Sequence, residues 1–128
     1  MKLCYQAATP DVAIAGSVTA YQGPLDQSFG GLSRLGYDGV ELMTLNPGAL
    51  DWKEVKQTAE KYGLSVVLVC TGEIFGQLGL SYTSPVEDNR REAIRRSKEI
   101  IDFAGYLGGN INIGRVRGQF CEQLSGEE

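Results

Sequence analysis

Three stretches of the chain repeat one pattern: an amphipathic segment, a glycine, then a short apolar run. They are Leu35-Gly36-Tyr37-Asp38-Gly39-Val40-Glu41-Leu42, Tyr62-Gly63-Leu64-Ser65-Val66-Val67-Leu68-Val69 and Leu107-Gly108-Gly109-Asn110-Ile111-Asn112-Ile113. Each reads as a helix closed by a left-handed glycine and followed by a strand rich in branched side chains. A first strand, Lys2 to Ala7, precedes them, which gives the order β-α-β-α-β-α-β. In the middle helix Trp52, Val55, Ala59 and Tyr62 share one face of a 3.6-residue period. Asp51 with Glu54 makes a capping box there, and Leu50 with Val55 a hydrophobic staple. In the last helix the pattern selects Ile94, Ser97, Ile101, Ala104 and Leu107 as the buried stripe. Glu87–Arg91 and Glu92–Arg96 are acid-before-base pairs on its wet side. The first helix, about Pro24 to Leu35, uses Leu25, Phe29, Leu32 and Leu35; Gly30 and Gly31 inside it each cost roughly 1 kcal/mol against alanine.

Strands alternating with helices imply a parallel sheet with right-handed crossovers. An open doubly wound sheet and part of a β/α barrel both fit, and periodicity does not choose between them. In either, functional groups gather on the loops at the C-terminal ends of the strands. Two of those loops are long, Thr9 to Gly23 and Gly72 to Pro85. Gly72, Gly76 and Gly79 in the second match no phosphate-binding spacing, and no helix is expected directly after them. A flexible lid is the expectation.

Composition narrows the chemistry. With 128 residues, 42% of them hydrophobic, the chain holds one core and reads as a single domain over 1–128. A net charge of −4, from 12 basic and 16 acidic residues, argues against a nucleic-acid partner. There is no histidine, so Ser-His and Cys-His nucleophilic sites and imidazole metal sites are excluded from this chain taken alone. Cys4, Cys70 and Cys121 lie far apart and odd in number, which reads as reduced thiols in a cytoplasmic protein. No apolar run reaches the roughly 18 residues of a membrane span, and Met1-Lys2-Leu3-Cys4-Tyr5 opens a strand rather than a signal peptide.

The segment Gly36-Tyr37-Asp38-Gly39-Val40-Glu41-Leu42 resembles the second-strand signature of the xylose-isomerase-like TIM-barrel superfamily of sugar and sugar-phosphate isomerases and epimerases. Ser84-Pro85, Arg90-Arg91, Ala93-Ile94 and Ile101-Asp102-Phe103-Ala104-Gly105-Tyr106-Leu107-Gly108 are similar to its third helix. Asn112-Ile113-Gly114-Arg115-Val116-Arg117-Gly118 resembles its fourth strand and the loop beyond. The resemblance runs through nearly the whole chain in the correct order. It implies an α/β fold of (β/α) TIM-barrel type, about half a barrel with four parallel strands and three helices, truncated before helix 4 at Leu124-Ser125-Gly126-Glu127-Glu128. It also implies a divalent metal (Mn, Mg, Co or Zn) for the full-length protein, held by Glu, Asp, His and Glu residues of later strands. Those ligands and the catalytic residues are expected beyond residue 128, with no metal bound to this chain.

Against that frame the substrate-binding candidates are Gln6, Glu41, Cys70, Asn112 and Arg115. Glu41 alternates with Val40 and Leu42, so if those face the helices it points into the barrel. It would then bind a substrate hydroxyl, support the metal site, or serve as a structural hydrogen-bonder between strands. Gln6, Cys70 and Asn112 hold comparable C-terminal positions on strands one, three and four. Amides suit polyols because each can donate and accept, while Cys70 reads better as a small apolar filler than as a nucleophile. Arg115 and Arg117 could grip a sugar phosphate, with surface salt bridging the competing use. Arg90, Arg91, Arg95 and Arg96, interleaved with Glu87, Glu92 and Glu99, read as a solvated helix face.

The function implied is a fragment of a metal-dependent sugar or sugar-phosphate isomerase or epimerase, moving a proton through an ene-diolate. The alternative is a non-catalytic, self-associating half-barrel or ligand-binding module. A DNA-repair endonuclease-like barrel is disfavoured by the missing histidine. The expected partner is a small sugar or sugar phosphate, with no nucleic acid and no membrane. Self-association is expected through open edges on strands one and four.

Overall fold

Glycine stops set the frame. Gly36, Gly63 and Gly108 take the left-handed conformation at φ 88°, 68° and 78°, each ending a helix and releasing the chain into a strand. The computed structural model describes residues 1–13 and 19–119 and contains the strands β1 (Cys4–Ala8), β2 (Gly39–Met43), β3 (Ser65–Cys70) and β4 (Asn110–Asn112). Its helices are α1 (Leu25–Arg34), α2 (Trp52–Lys61), α3 (Gly72–Leu78) and α4 (Glu87–Leu107). The strands form one parallel sheet in the order β1-β2-β3-β4. Sequential order with the helices packed on one side is the arrangement of half a β/α barrel. The doubly wound alternative, which needs a reversal of strand order, is excluded.

The helix-facing row of the sheet is Ala7, Leu42 and Val69, all fully buried, with Ile111 beside them. Phe29 and Leu32 of α1, Val55 and Ala59 of α2, and Ala93, Ile100 and Phe103 of α4 join them in one core. Val66 belongs to this core as well, although it stands three residues before Val69 and strict alternation would put the two on opposite faces. A bulge resolves the parity: Val40 pairs with Val66 but Glu41 with Leu68, so Val67 is the extra residue. The bulge aims Val69 at the helices and turns Cys70 to the opposite face.

Three expectations need correction. The Gly72–Pro85 segment is not a flexible lid: it contains α3, a fourth helix where three were expected, with Ile74 fully buried and Gly79 as its left-handed cap. The buried stripe of α4 is Ala93, Ser97, Ile100, Phe103 and Ala104, whereas Ile94 and Ile101 are about half exposed. Nor does β1 present an open edge along its length. The Ala8 N–H donates to the Tyr21 carbonyl at 2.9 Å and the Tyr21 N–H to the Gln6 carbonyl at 2.8 Å, a parallel bridge that covers its C-terminal half.

Other readings hold. The Asp51 carboxylate caps α2 by accepting from the Glu54 N–H at 3.1 Å. Glu87–Arg91 and Glu92–Arg96 both pair on α4, and Arg95 joins them by bridging Glu92 and Glu99. Gly30 and Gly31 have a physical reason to interrupt α1. A Cβ at Gly30 would stand 3.1 Å from the Tyr62 ring, and one at Gly31 only 2.7 Å from the Tyr21 hydroxyl. Cys121, the Leu124–Glu128 segment and part of the Thr9–Gly23 loop lie outside the described residues.

Candidate functional site

A threonine follows each of the first three strands: Thr9 after β1, Thr44 after β2 and Thr71 after β3. All three are buried to within 1% of completely. The Thr9 hydroxyl lies 2.9 Å from the carbonyl of Met43 on the next strand, and the Thr71 hydroxyl donates to the carbonyl of Asn112 at the same distance. Thr44 turns instead to Asp11, whose carboxylate also accepts from the Leu45 and Asn46 N–H groups at 2.8 and 2.6 Å. Each buried hydroxyl thus satisfies backbone or carboxylate groups that strand ends leave over. These bonds tie the C-terminal end of β1 to that of β2, and that of β3 to that of β4, along one rim.

On the face away from the helices, two rows of side chains lead up to that rim. The lower is Gln6, Glu41, Leu68 and Asn110; the upper is Ala8, Met43, Cys70 and Asn112. Above them opens a cavity of about 200 Å³ lined by Gln6, Met43, Cys70, Gly72, Glu73, Asn112, Gly114 and Arg115. Four of the five sequence candidates, Gln6, Cys70, Asn112 and Arg115, therefore meet at one place. Glu41 stands beside Gln6 in the lower row but is not part of the lining, and neither is Arg117.

Electrostatics at Cys70 report on this space. Burial pushes its thiol up from the ordinary value of 9.0, and the charges of Glu41 and Glu73 push it further. The Asn112 amide, 3.6 Å from the sulfur, works in the opposite direction. A thiol held neutral in this way is a poor nucleophile.

Arg115 is held by an arrangement that no local sequence pattern announces. Val116, fully buried, pins the turn Arg115–Arg117, which lies against α3. The Arg115 guanidinium stretches over two glycines one helical turn apart: a Cβ at Gly76 would come within 2.8 Å of Nη2, and one at Gly72 within 3.6 Å of Nε. Its Nη2 donates to Oε1 of Glu73 at 2.9 Å. The other Glu73 oxygen accepts from Gln77 at 2.8 Å, and Gln77 reaches the Ala13 backbone beyond β1. Gly76 and Gly79 are thereby accounted for without a phosphate: the first leaves room for an arginine and the second ends the helix, while Gly72 lies at ordinary contact distance from the same side chain. Among the described residues no three His, Cys, Asp or Glu side chains converge as a metal site. Both Glu73 oxygens are already engaged, so the described donor set does not fit a divalent metal.

A family model described as a xylose isomerase-like TIM barrel matches residues 30–124. The chain belongs to that family. Among solved structures, the apo form of 3-keto-D-glucoside 4-epimerase from E. coli is similar with a TM-score of 0.56 at 20% identity. That match covers 87% of this chain and 36% of the epimerase. An AP endonuclease of family 2 from Brucella melitensis is similar with a TM-score of 0.52 at 17% identity, over 85% of this chain and 38% of that one. These likenesses concern the fold, and the chain spans little more than a third of either structure. No curated protein matches the sequence. In xylose isomerase-like barrels, as in β/α barrels generally, the C-terminal ends of the strands are where chemistry is housed. The cavity with Gln6, Asn112 and Arg115 opens at that end.

Proposed function

We propose that this chain forms the early-strand side of the substrate pocket of a sugar or sugar-phosphate isomerase or epimerase. The observation that carries the reading is the convergence of Gln6, Asn112 and Arg115 on one cavity at the strand C-termini. Two amides and a guanidinium offer acceptors and many donors in planar arrays, which suits vicinal hydroxyls. Met43 and Cys70 supply an apolar surface for the C–H face of a sugar ring or chain. The 3-keto-D-glucoside named for the epimerase neighbour is a substrate of that kind, which supports the reading.

The residues of this chain bind and orient. Gln6 and Asn112 fix hydroxyls from opposite ends of the sheet, and Arg115 donates from the rim. A divalent metal held by residues outside those described would supply Lewis-acid polarisation of a substrate carbonyl. The described residues do not compose its site, and no step is assigned to it in this half. A DNA substrate, suggested by the endonuclease neighbour, finds no support in a pocket whose one cation, Arg115, is paired with Glu73.

Titration of the ¹⁵N-labelled chain with D-fructose tests the reading. The side-chain amide resonances of Gln6 and Asn112 are expected to shift together. Asn112→Ala should weaken binding about 2- to 10-fold, the worth of one hydrogen bond. Shifts confined to other surfaces, or none at all, would reject the pocket.

A further inference from the structure

Arg115 looks at first like an anchor for a phosphate, and its surroundings argue otherwise. Glu73 is 4% exposed, and its carboxylate is seated against the guanidinium at 2.9 Å. An ion so deeply buried cannot give up its partner cheaply, since breaking one side of such a pair leaves a desolvated charge behind. An incoming phosphate would have to share Arg115 with Glu73 at close range. A hydroxyl or carbonyl oxygen has no such penalty. It needs only donors, and the Arg115 side chain, 55% exposed, spends one N–H on Glu73 and keeps the rest.

We propose that Glu73 is a specificity-determining residue: seated on Arg115, it cancels the guanidinium charge, so that the pocket takes uncharged hydroxyl-bearing ligands and turns away their phosphate esters. This rests on the pocket reading above and deepens it. Gly76 is part of the same device, because a Cβ there would come within 2.8 Å of Nη2 and push the guanidinium from its place beside Glu73. Gln77 completes it by occupying the second Glu73 oxygen, which keeps that carboxylate from turning toward the ligand.

The experiment compares D-fructose with D-fructose 6-phosphate at constant ionic strength and pH 7.5, read from the Gln6 and Asn112 amide shifts. The wild-type chain should bind the neutral sugar about tenfold or more tighter than the ester. Glu73→Gln, which keeps the shape and removes the charge, should raise affinity for the ester about tenfold and flatten or invert the ranking, as expected for one charge a few ångströms away. Gly76→Ala pushes Arg115 off its seat beside Glu73 without changing any charge, so it should weaken both ligands and also narrow their ranking, in the same direction as Glu73→Gln. A variant that merely loosened the fold would also weaken both, which is why the ranking is the readout. Preference of the wild type for the ester, or a ranking that Glu73→Gln leaves unchanged, would overturn the role of Glu73 and leave the pocket standing. Failure of both sugars to shift either amide would overturn the pocket and the inference with it.

Discussion

Cys70 shows how much a single position owes to its neighbours. Its thiol is raised first by burial, then by Glu41 and Glu73, with Asn112 in partial opposition. A raised folded-state value means that the proton is held over a wider pH range, so half of the thiol becomes thiolate only at a pH above the ordinary 9.0. Alkylation by iodoacetamide, followed at the Cys70 peptide by mass spectrometry, should therefore have its midpoint above that value. Glu41→Gln should move it back down and speed labelling at pH 8.5. An unchanged profile in that variant would place Glu41 too far from the sulfur to matter. By linkage the stability held by the protonated thiol is intact below pH 9 and is lost as pH rises through the folded value. Position along a strand singles out Gln6, Cys70 and Asn112 from sequence, and Arg115 stands out by its charge in the loop beyond the fourth strand. Glu73 left no such trace: one glutamate in a glycine-rich stretch is unremarkable until Arg115, 42 residues away, is brought against it. The threonines after β1, β2 and β3 did carry a signal, a repeat at equivalent positions. It becomes visible only once the strand ends are known.

Helix α4 illustrates the same limit one level up. Its existence and ends follow from period, charge pairs and the glycine stop, but its phase does not. Two overlapping apolar stripes are present, one through Ile94 and Ile101 and the other through Ala93, Ile100 and Phe103. Ser97 and Ala104 fit both. Packing decides for the second, because Phe103 meets Trp52 of α2 with ring centroids 5.3 Å apart and Ile100 is fully buried. The two stripes make opposite energetic predictions. Ile100→Ala should cost about 2–5 kcal/mol by opening a cavity in the core, whereas Ile101→Gln, at 49% exposure, should stay within about 0.5 kcal/mol. Urea melts of the two variants distinguish them, and equal losses would reinstate the first stripe. Strand β3 was opaque for a related reason. Ser65-Val66-Val67-Leu68-Val69-Cys70 is apolar almost throughout, so alternation gives no clue to the bulge at Val67.

At the level of the whole molecule the sheet has two edges of unlike character. On β1 the backbone groups of Gln6 and Ala8 are taken by Tyr21, a connection between an edge strand and a loop that no local pattern announces. On β4 nothing among the described residues pairs the outer side, and Ile113 next to it is 49% exposed. A β/α barrel closes with eight strands, and four are present among the described residues. An open strand recruits a partner strand through unused N–H and C=O groups, and β4 is the edge that can do so. The partner expected is a second copy of the chain meeting the first across β4, since the covered β1 edge cannot receive it over its C-terminal half. At three residues β4 offers few hydrogen bonds, and short edges are a means by which proteins limit such pairing. The association should accordingly be weak and concentration-dependent. Sedimentation velocity from about 10 to 500 µM should show a monomer passing into a dimer, and Ile113→Lys, which places a charge against the edge, should hold the chain as a monomer throughout. A single monomeric species for the wild type over that range would mean that three residues of open edge are too few to recruit a partner. A dimer untouched by Ile113→Lys would move the contact to another surface, with the half-exposed Ile94 and Ile101 of α4 the next to be substituted.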